Sequence, residues 1–470
     1  MKNFFYKNRK GVVLVMGLVL YALLLLTLLV FLSFNNPQVL RLSRTSVVMI
    51  FTFITSTYLL MHIYGKYDIG IRKSKPIVIS VSLGTFFADL ITSALMVIMN
   101  TNETTNNEMY PYFGWDLLML FFAFLVQVLV IVLMTYGGHA IYFSFVPPER
   151  LLLVKKGSAN EKHLREAIAH YKKQYKVCKT IQYDDPALYD EILKYDAVFL
   201  NQLPHEATQT LVEYCYKHSK IVYRTLGLSD LVTFTSRIML LNDESFLASQ
   251  VKEKNMMQRI VKRIFDIIFS AFGLIITSPL LLIAFIAIKI EDGGPVIFSQ
   301  NRVTIGRKIF NVHKIRTMKE NADGSLVTEE KDGRITRVGY WLRKFRIDEI
   351  PQFFDVIVGN MSVVGPRAEM ADRVFMNMQS IPEYEYRYRM KAGITGYAQI
   401  MGKYNTSAQD KLMLDLTYIQ TFSLWNDTKI LFQTIMVVLR PDKSTEAYKK
   451  EDIKENEKIK EIISGKNRGQ

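Results

Sequence analysis

Only two cysteines, Cys178 and Cys215, occur in 470 residues, with no Cys-x-x-Cys or mixed Cys/His spacing. A disulfide-built secreted scaffold and a structural zinc site are therefore excluded, and the thiols read as reduced side chains of a cytosolic domain. Aspartate never recurs at Asp-x-Asp spacing, the ligand pair common in metal-dependent glycosyltransferases. No nucleic-acid reader motif accompanies the basic charge. Glycine does not gather into a dinucleotide fingerprint. The strand-to-helix turn where one would stand reads Lys155-Lys156-Gly157-Ser158-Ala159-Asn160, with a single glycine. Charge is scarce in the first 145 residues, which are dominated by apolar runs. Over the whole chain apolar residues make up 49% and charged ones 22%, and 59 Lys+Arg against 44 Asp+Glu leave +15. That composition rules out intrinsic disorder and collagen.

Four apolar runs reach the roughly 20 residues that a bilayer requires: Val12–Phe34, Ser46–Tyr64, Ile77–Met99 and Trp115–Tyr136. The first is too long for a cleavable signal peptide and lacks a small-residue cleavage site. Lys2, Lys7, Arg9 and Lys10 precede the first run, and Lys66, Arg72, Lys73 and Lys75 follow the second. The loop after the third run has no Lys or Arg but has Glu103 and Glu108. The positive-inside rule places both ends of this block in the cytoplasm, with Arg41 and Arg44 outvoted. Asp89 is the only acid well inside a run. A hydrogen bond to a neighbouring helix explains it as well as an ion path does, and a transporter ranks low.

From Arg150 strands and helices alternate. Leu151–Val154, Val177–Ile181, Ala197–Leu200 and Ile221–Tyr223 read as strands, and Glu161–Tyr175, Pro186–Lys194 and Glu206–His218 as helices. This predicts a small doubly wound α/β domain with a parallel sheet. A structural or regulatory module is preferred there over a degenerate nucleotide or sugar site. Ile264–Ile290 is again apolar, apart from Asp266 and Lys289, and carries Ser278-Pro279 near its middle. Proline removes a backbone donor and bends a helix. Lys262 and Arg263 before the run, with Lys289 and Arg302 at or beyond its end, favour a re-entrant hairpin over a fifth crossing.

The segment Gly293–Leu439 is dense in basic residues. Its core is Arg343-Lys-Phe-Arg-Ile-Asp-Glu-Ile-Pro-Gln352, followed by Asp355-Val-Ile-Val-Gly-Asn-Met-Ser-Val-Val-Gly-Pro-Arg367. Asp348 and Glu349 stand at an apparent helix start with Pro351 in its first turn. Taken alone they read as capping acids. Arg343, Lys344, Arg346 and Arg367, with turns at Gly359 and Gly365-Pro366, make the surroundings an anion site. Two carboxylates inside an anion site are suited to holding Mg²⁺ or to attacking phosphorus. Phe298–Arg307 and His313–Met318 add further cations, so anionic lipid and a phosphorylated substrate are expected, and nucleic acid is not. Ala408–Phe422 and Leu424–Leu439 fit amphipathic helices on a bilayer and ordinary core helices equally. After Arg440-Pro441 the chain is Lys/Glu-rich, and Asp442–Gln470 reads as a solvated helix or frayed tail.

These residues resemble the bacterial sugar transferase family, the monotopic phosphoglycosyltransferases. The matching pieces are Lys262-Arg263-Ile-Phe-Asp266, Ser278-Pro279, Gly294-Pro-Val-Ile-Phe298, Lys314-Ile-Arg-Thr-Met318, Asp348-Glu349-Ile-Pro-Gln352, Ser362-Val-Val-Gly-Pro-Arg367, Lys391-Ala-Gly-Ile-Thr-Gly396 and Leu414-Asp-Leu-Thr-Tyr418. Ala392 stands where Pro is common, and Ala368 where Pro often follows Gly-Pro-Arg. Neither position carries a reactive group. The implied organisation is a four-span membrane bundle at 1–147, a Rossmann-like α/β domain at 148–250, a mainly α monotopic catalytic domain at 251–445 with its re-entrant hairpin at 264–290, and a charged tail at 446–470.

The resemblance implies transfer of a sugar-1-phosphate from a UDP-sugar to undecaprenyl phosphate, with release of UMP, through a phosphosugar carried on Asp348. It makes Asp348 the nucleophile and gives Glu349, with Asp348 beside it, to Mg²⁺. It assigns Arg343 and Arg367 to phosphate oxygens, Pro366 to the uracil, Lys314 to the diphosphate with Arg316 also substrate-binding, and Ser278-Pro279 to the helix break. Glucose and galactose are the leading sugars. A multi-pass location in the bacterial cell membrane follows, with both later domains on the cytoplasmic face. A homo-oligomer and polysaccharide-assembly proteins are candidate partners. The rivals are a UDP-releasing glycosyltransferase and a non-catalytic scaffold of an exopolysaccharide or capsule assembly complex.

Overall fold

The computed structural model describes residues 8–34, 37–41, 43–99, 113–157, 164–165, 168–249, 254–319, 333–402 and 406–438. Most of the acidic loop after the third apolar run, the end of the single-glycine turn, much of the helix expected at Glu161–Tyr175 and the charged tail lie outside them. Two compact units divide the chain, residues 1–225 and 226–470.

The first unit begins with α1 (Arg9–Ser33), α2 (Arg44–Tyr64), α3 (Ser74–Ile98) and α4 (Phe113–Phe145), each long and apolar enough to cross a membrane. Leucines in α1 show why these helices associate: Leu20, Leu24 and Leu28 recur every fourth residue and are fully buried, while Leu14 and Leu18 stay exposed. Such exposed apolar faces suit lipid. Asp89 is buried and accepts a hydrogen bond from Gln127 Nε2 on α4 (3.3 Å), which also donates to Leu24 O on α1 (3.1 Å). The lone acid thus joins α3 to α4, and through Gln127 to α1.

The same unit continues as β1 (Glu149–Lys155), β2 (Tyr175–Gln182), α5 (Leu188–Lys194), β3 (Ala197–Asn201), α6 (His205–Lys217) and β4 (Ile221–Arg224). The four strands are parallel in the order β2-β1-β3-β4. Central β1 carries the continuous buried run Leu151–Val154, as a parallel strand covered on both faces must. Leu152, Val154, Val198 and Leu200 pack with Ile192 and Leu211 of the helices. Cys178 is exposed, Cys215 is buried, and both are free.

In the second unit α7 (Leu228–Phe234) precedes an antiparallel hairpin of β5 (Arg237–Leu241) and β6 (Glu244–Ala248). Then α8 (Met256–Asp292) runs unbroken for 37 residues and is also long and apolar enough to cross a membrane. Asn255 caps its start reciprocally with Gln258, and Gly293 ends it in the left-handed region at φ 71°. Pro279 lies inside this helix and deprives the Ile275 carbonyl of its donor. Ser278 Oγ donates to that carbonyl at 2.8 Å, which satisfies the group that proline leaves open.

After α8, β7 (Ile297–Val303) pairs antiparallel with β8 (Ile309–Ile315). Next come α9 (Arg337–Lys344), a single 3₁₀ turn Ile347–Glu349, α10 (Gln352–Val358), β9 (Ser362–Val364) and α11 (Ala371–Ser380). The described residues end with β10 (Gly393–Thr395), parallel to β9, then α12 (Tyr397–Met401), α13 (Ala408–Gln420) and α14 (Leu424–Val438). Leu412, Leu416 and Ile419 of α13 and Ile430 and Val437 of α14 join Val312, Val356 and Val363 in the core. These two helices therefore pack as core helices along one face.

Candidate active site

The carboxylates stand where the chain reverses. Arg346 takes the left-handed conformation at φ 54°, uncommon for a side chain with a Cβ, between α9 and the turn that carries Asp348 and Glu349. The structure thus puts the acids in a separate one-turn element, and α10 starts only at Gln352, after Pro351. Three anchors fix the position of this turn. Asp355 of α10 accepts His313 N at 2.9 Å and pairs with His313 Nδ1 at 2.6 Å, which binds α10 to β8. Arg263 of α8 donates to Val356 O and Ile357 O at 2.6 and 2.7 Å, satisfying carbonyls at the end of α10. Phe353 packs on Phe269 of α8, with ring centroids 6.2 Å apart.

Glu349 is ringed by cations. Its Oε1 accepts Lys314 Nζ at 2.8 Å and Arg367 Nη2 at 3.2 Å, and its Oε2 lies 3.5 Å from Arg346 Nη1. Burial opposes ionisation of Glu349, yet Lys314, Arg367 and Arg346 overcome it and hold the carboxyl well below the ordinary glutamate range. Asp348 goes the other way. Burial first and the Glu349 charge second push it up to about 6, against the pull of Lys314, Arg343 and Arg346. Adjacent carboxyls in one field are thus pushed in opposite directions, a pattern typical of functional sites.

The remaining expected residues divide between this pair and other places in the unit. Lys314 projects from β8, and Arg343 from the last turn of α9 donates Nε to Thr317 Oγ1 at 2.7 Å. Pro366 is buried, and its carbonyl accepts Gly393 N at 2.8 Å; Arg367 follows it and is exposed. Arg316 is not gathered at the carboxylates, because it ion-pairs with Asp292 at the end of α8. Ser278 and Pro279 lie on the apolar part of α8, outside this cluster, and the expected hairpin break is not found there: Ser278 Oγ satisfies the carbonyl that Pro279 leaves open, and the helix continues through both residues.

A family profile described as "Bacterial sugar transferase" matches residues 257–441. A Caulobacter vibrioides protein named UDP-glucose:undecaprenyl-phosphate glucose-1-phosphate transferase is 40% identical over 188 residues, 38% of this chain and 70% of that protein. The Rhizobium leguminosarum exopolysaccharide production protein PSS is 36% identical over 191 residues, which cover 96% of it. The chain belongs to the bacterial sugar transferase family. An Aeromonas hydrophila relative named UDP-N-acetylgalactosamine-undecaprenyl-phosphate N-acetylgalactosaminephosphotransferase is 42% identical over 184 residues, but only 44% of its length is covered. Every site residue named above lies within the matched stretch.

Several contacts that build this family member's site have no local sequence pattern that shows who meets whom. Arg346 was noted only as one cation among several, and its contact with Glu349 depends on a left-handed backbone that no local pattern announces. Arg387 is fully buried, lies 2.8 Å from Glu369 and 2.7 Å from Asp415, and donates Nη2 to Arg367 O at 3.1 Å. It sits in the run Tyr384–Arg389, where alternating aromatic and charged residues resemble a solvated face. Lys262 Nζ joins Asp266 (3.0 Å) to Asp427 (2.8 Å), and Asp266 accepts from Ser362 Oγ (2.8 Å) and Val363 N (3.2 Å), which holds β9 against α8. The Lys262/Asp266 spacing of one helical turn was the available signal.

Proposed function

We infer that this protein transfers a sugar-1-phosphate from a UDP-sugar to undecaprenyl phosphate and releases UMP, as the first membrane step of an exopolysaccharide or capsule pathway. The observation that carries the reading is the Asp348-Glu349 turn, where Lys314, Arg367 and Arg346 close on the Glu349 carboxylate directly beside Asp348. The relatives' printed names support the reaction class, and they name glucose, galactose and N-acetylgalactosamine among their sugars. Glucose and galactose are the first sugars to test.

In the proposed chemistry an Asp348 oxygen bonds to the β-phosphorus, the bond from that phosphorus to the bridging oxygen breaks, and UMP leaves with the electron pair. The phosphate of the lipid acceptor then attacks the same phosphorus and displaces Asp348. A carboxylate is a weak nucleophile and needs an electron-poor phosphorus. Lys314 and Arg367, 2.8 and 3.2 Å from Glu349, are placed to neutralise phosphoryl oxygens there, and Arg343, anchored on Thr317, adds its charge to the field at Asp348. Mg²⁺ takes one or two carboxylates together with substrate phosphates. Glu349 and Asp348, adjacent carboxylates on one turn, fit that donor set. Bound there, Mg²⁺ would supply charge neutralisation to the diphosphate.

The apolar helices support a multi-pass protein of the cell membrane with its catalytic unit on the cytoplasmic face. In this reading α1–α4 form a four-span bundle and the parallel sheet is a Rossmann-like domain. The test is nucleotide release in nanodiscs with Mg²⁺, undecaprenyl phosphate and a panel of UDP-sugars. UMP from one donor, reduced by about 10³-fold or more in Asp348→Asn, is the expected result. Release of UDP would point to an ordinary glycosyltransferase, and no release from any donor would point to a scaffold.

A further inference from the structure

Arg316 stands one residue beyond β8 and two from Lys314, yet its guanidinium is buried. Nη2 pairs with Asp292 Oδ1 at the end of α8. Nε and Nη1 are shut off from solvent and have no hydrogen-bond partner among the described residues. Gly294 lies against the same group, where an added Cβ would collide with Nη1 and Nη2. Donors closed off in this way are not offered to a phosphate that arrives from solvent. The neighbouring Glu291 makes a second dock. Its Oε1 accepts Arg337 N at 2.7 Å and its Oε2 accepts Val338 N at 3.2 Å. These are amides that the first turn of α9 cannot pair, and the carboxylate also meets the positive end of that helix. Thr336 Oγ1 completes the cap by accepting Gly339 N at 2.9 Å.

Apolar packing closes the same junction. Ala284 and Ile288 of α8 are buried with Ile315 of β8 and Leu342 of α9, and Ile347 packs against them. Each partner of α8 here is a chain neighbour of a site residue: Ile315 follows Lys314, Leu342 precedes Arg343, and Ile347 precedes Asp348. Backbone contacts tie the pieces further. Arg316 N donates to Val296 O at 2.8 Å, and Thr317 O accepts Thr336 N at 3.1 Å. Thr317 Oγ1 accepts Arg343 Nε at 2.7 Å. A Cβ on Gly339 would run into the Thr317 carbonyl, so α9 lies directly on this segment.

We propose that Arg316 is a positioning residue: with Asp292 and Glu291 it docks the end of the apolar helix α8 to the strand and helix that present Lys314 and Arg343 to the Asp348-Glu349 turn. Arg316 therefore acts through those two cations and not on the substrate, which is the role that the family resemblance implies for it. The proposal rests on the phosphoryl-transfer reading above. Misplacing a reacting group by about 1 Å costs on the order of 100-fold in rate, and loss of the dock would have that effect.

The test uses full-length protein in nanodiscs with Mg²⁺. It compares wild type with Arg316→Asp, Asp292→Arg, the double reversal, Asp292→Asn and Glu291→Ala. In each single reversal kcat for UMP release should fall about 100-fold while KM for each substrate stays within about twofold. The double reversal restores the attraction and should recover kcat at least about tenfold over either single. Asp292→Asn and Glu291→Ala are milder and should each lower kcat about tenfold, which keeps the comparison open where a reversal does not fold. A guanidinium that bound substrate would behave otherwise: KM would rise in Arg316→Asp, and reversing Asp292 would recover nothing. Either result overturns the proposal. Amide hydrogen exchange gives a readout that needs no turnover. Exchange over Ile309–Ile315 and Arg337–Lys344 should quicken in the single variants and slow again in the double reversal. Unchanged exchange in the single variants would also overturn the dock. Absence of UMP release by wild type counts against the reaction alone, and the exchange pattern still decides the docking.

Discussion

Asp348 and Glu349 are chain neighbours, yet they are pushed in opposite directions because Glu349 receives the direct cation contacts and Asp348 bears the burial and the Glu349 charge. A nucleophilic Asp348 must be ionised, so lowering the pH through about 6 protonates it and removes activity. In a pH profile, kcat/KM for the donor should fall about tenfold per unit below pH ~6; a flat profile down to pH 5 would reject Asp348 as the group that limits the rate. Arg387 illustrates a different role. Burial works against its charge, but Asp415 and Glu369 hold the guanidinium fully protonated. Arg387→Met would leave two carboxylates buried without their counter-charge and should cost about 3–5 kcal/mol in denaturant unfolding. Both residues were visible as letters in the sequence, but only Asp348 had neighbours that suggested its chemistry.

At the scale of elements, three short connections place the site. The first is the left-handed Arg346, which turns the carboxylates back against β8. The second is the Lys262–Asp266–Ser362 chain from α8 to β9. The third is the close approach of β9 and β10, where a Cβ on Gly393 would run into the backbone nitrogen of Gly365. Gly393→Ala should force these strands apart and shift Pro366 and Arg367. We expect kcat/KM to drop about 100-fold while far-UV circular dichroism stays near wild type, and unchanged kinetics would show that the loop holds its place without this contact. The helices and strands themselves were legible from periodicity: the runs at Leu151–Val154 and Ala197–Leu200 became β1 and β3. Their ends were less so, since the expected helix start at Asp348 resolved into a separate 3₁₀ turn. Pro351 allows either arrangement locally, and the His313–Asp355 contact pins the start of α10.

At the scale of the whole molecule, the Asp348-Glu349 turn and every cation around it belong to the second unit. The Rhizobium relative is almost wholly covered by the matched stretch. A chain beginning at Leu226, purified in detergent, should therefore keep UMP release within about tenfold of the full protein. Complete loss with intact helical circular dichroism would make the first unit part of the catalytic machinery. The apolar helices of both units leave large hydrophobic surfaces exposed, from Leu14 and Phe51 to Phe272 and Ile283.

By itself the sequence determined the apolar segments, the alternating strands of the parallel sheet, the acid pair and the family, because those properties reside in composition, period and short spacing. Tertiary structure alone decided which charges meet. Lys314, Arg346 and Arg367 converge on Glu349 from a strand, a left-handed residue and a loop, whereas Arg316, only two residues from Lys314, turns to Asp292. It also decided that Arg387 would be buried. Ion pairing falls off over a few ångströms, and distances that short between residues far apart in sequence exist only once the core has packed.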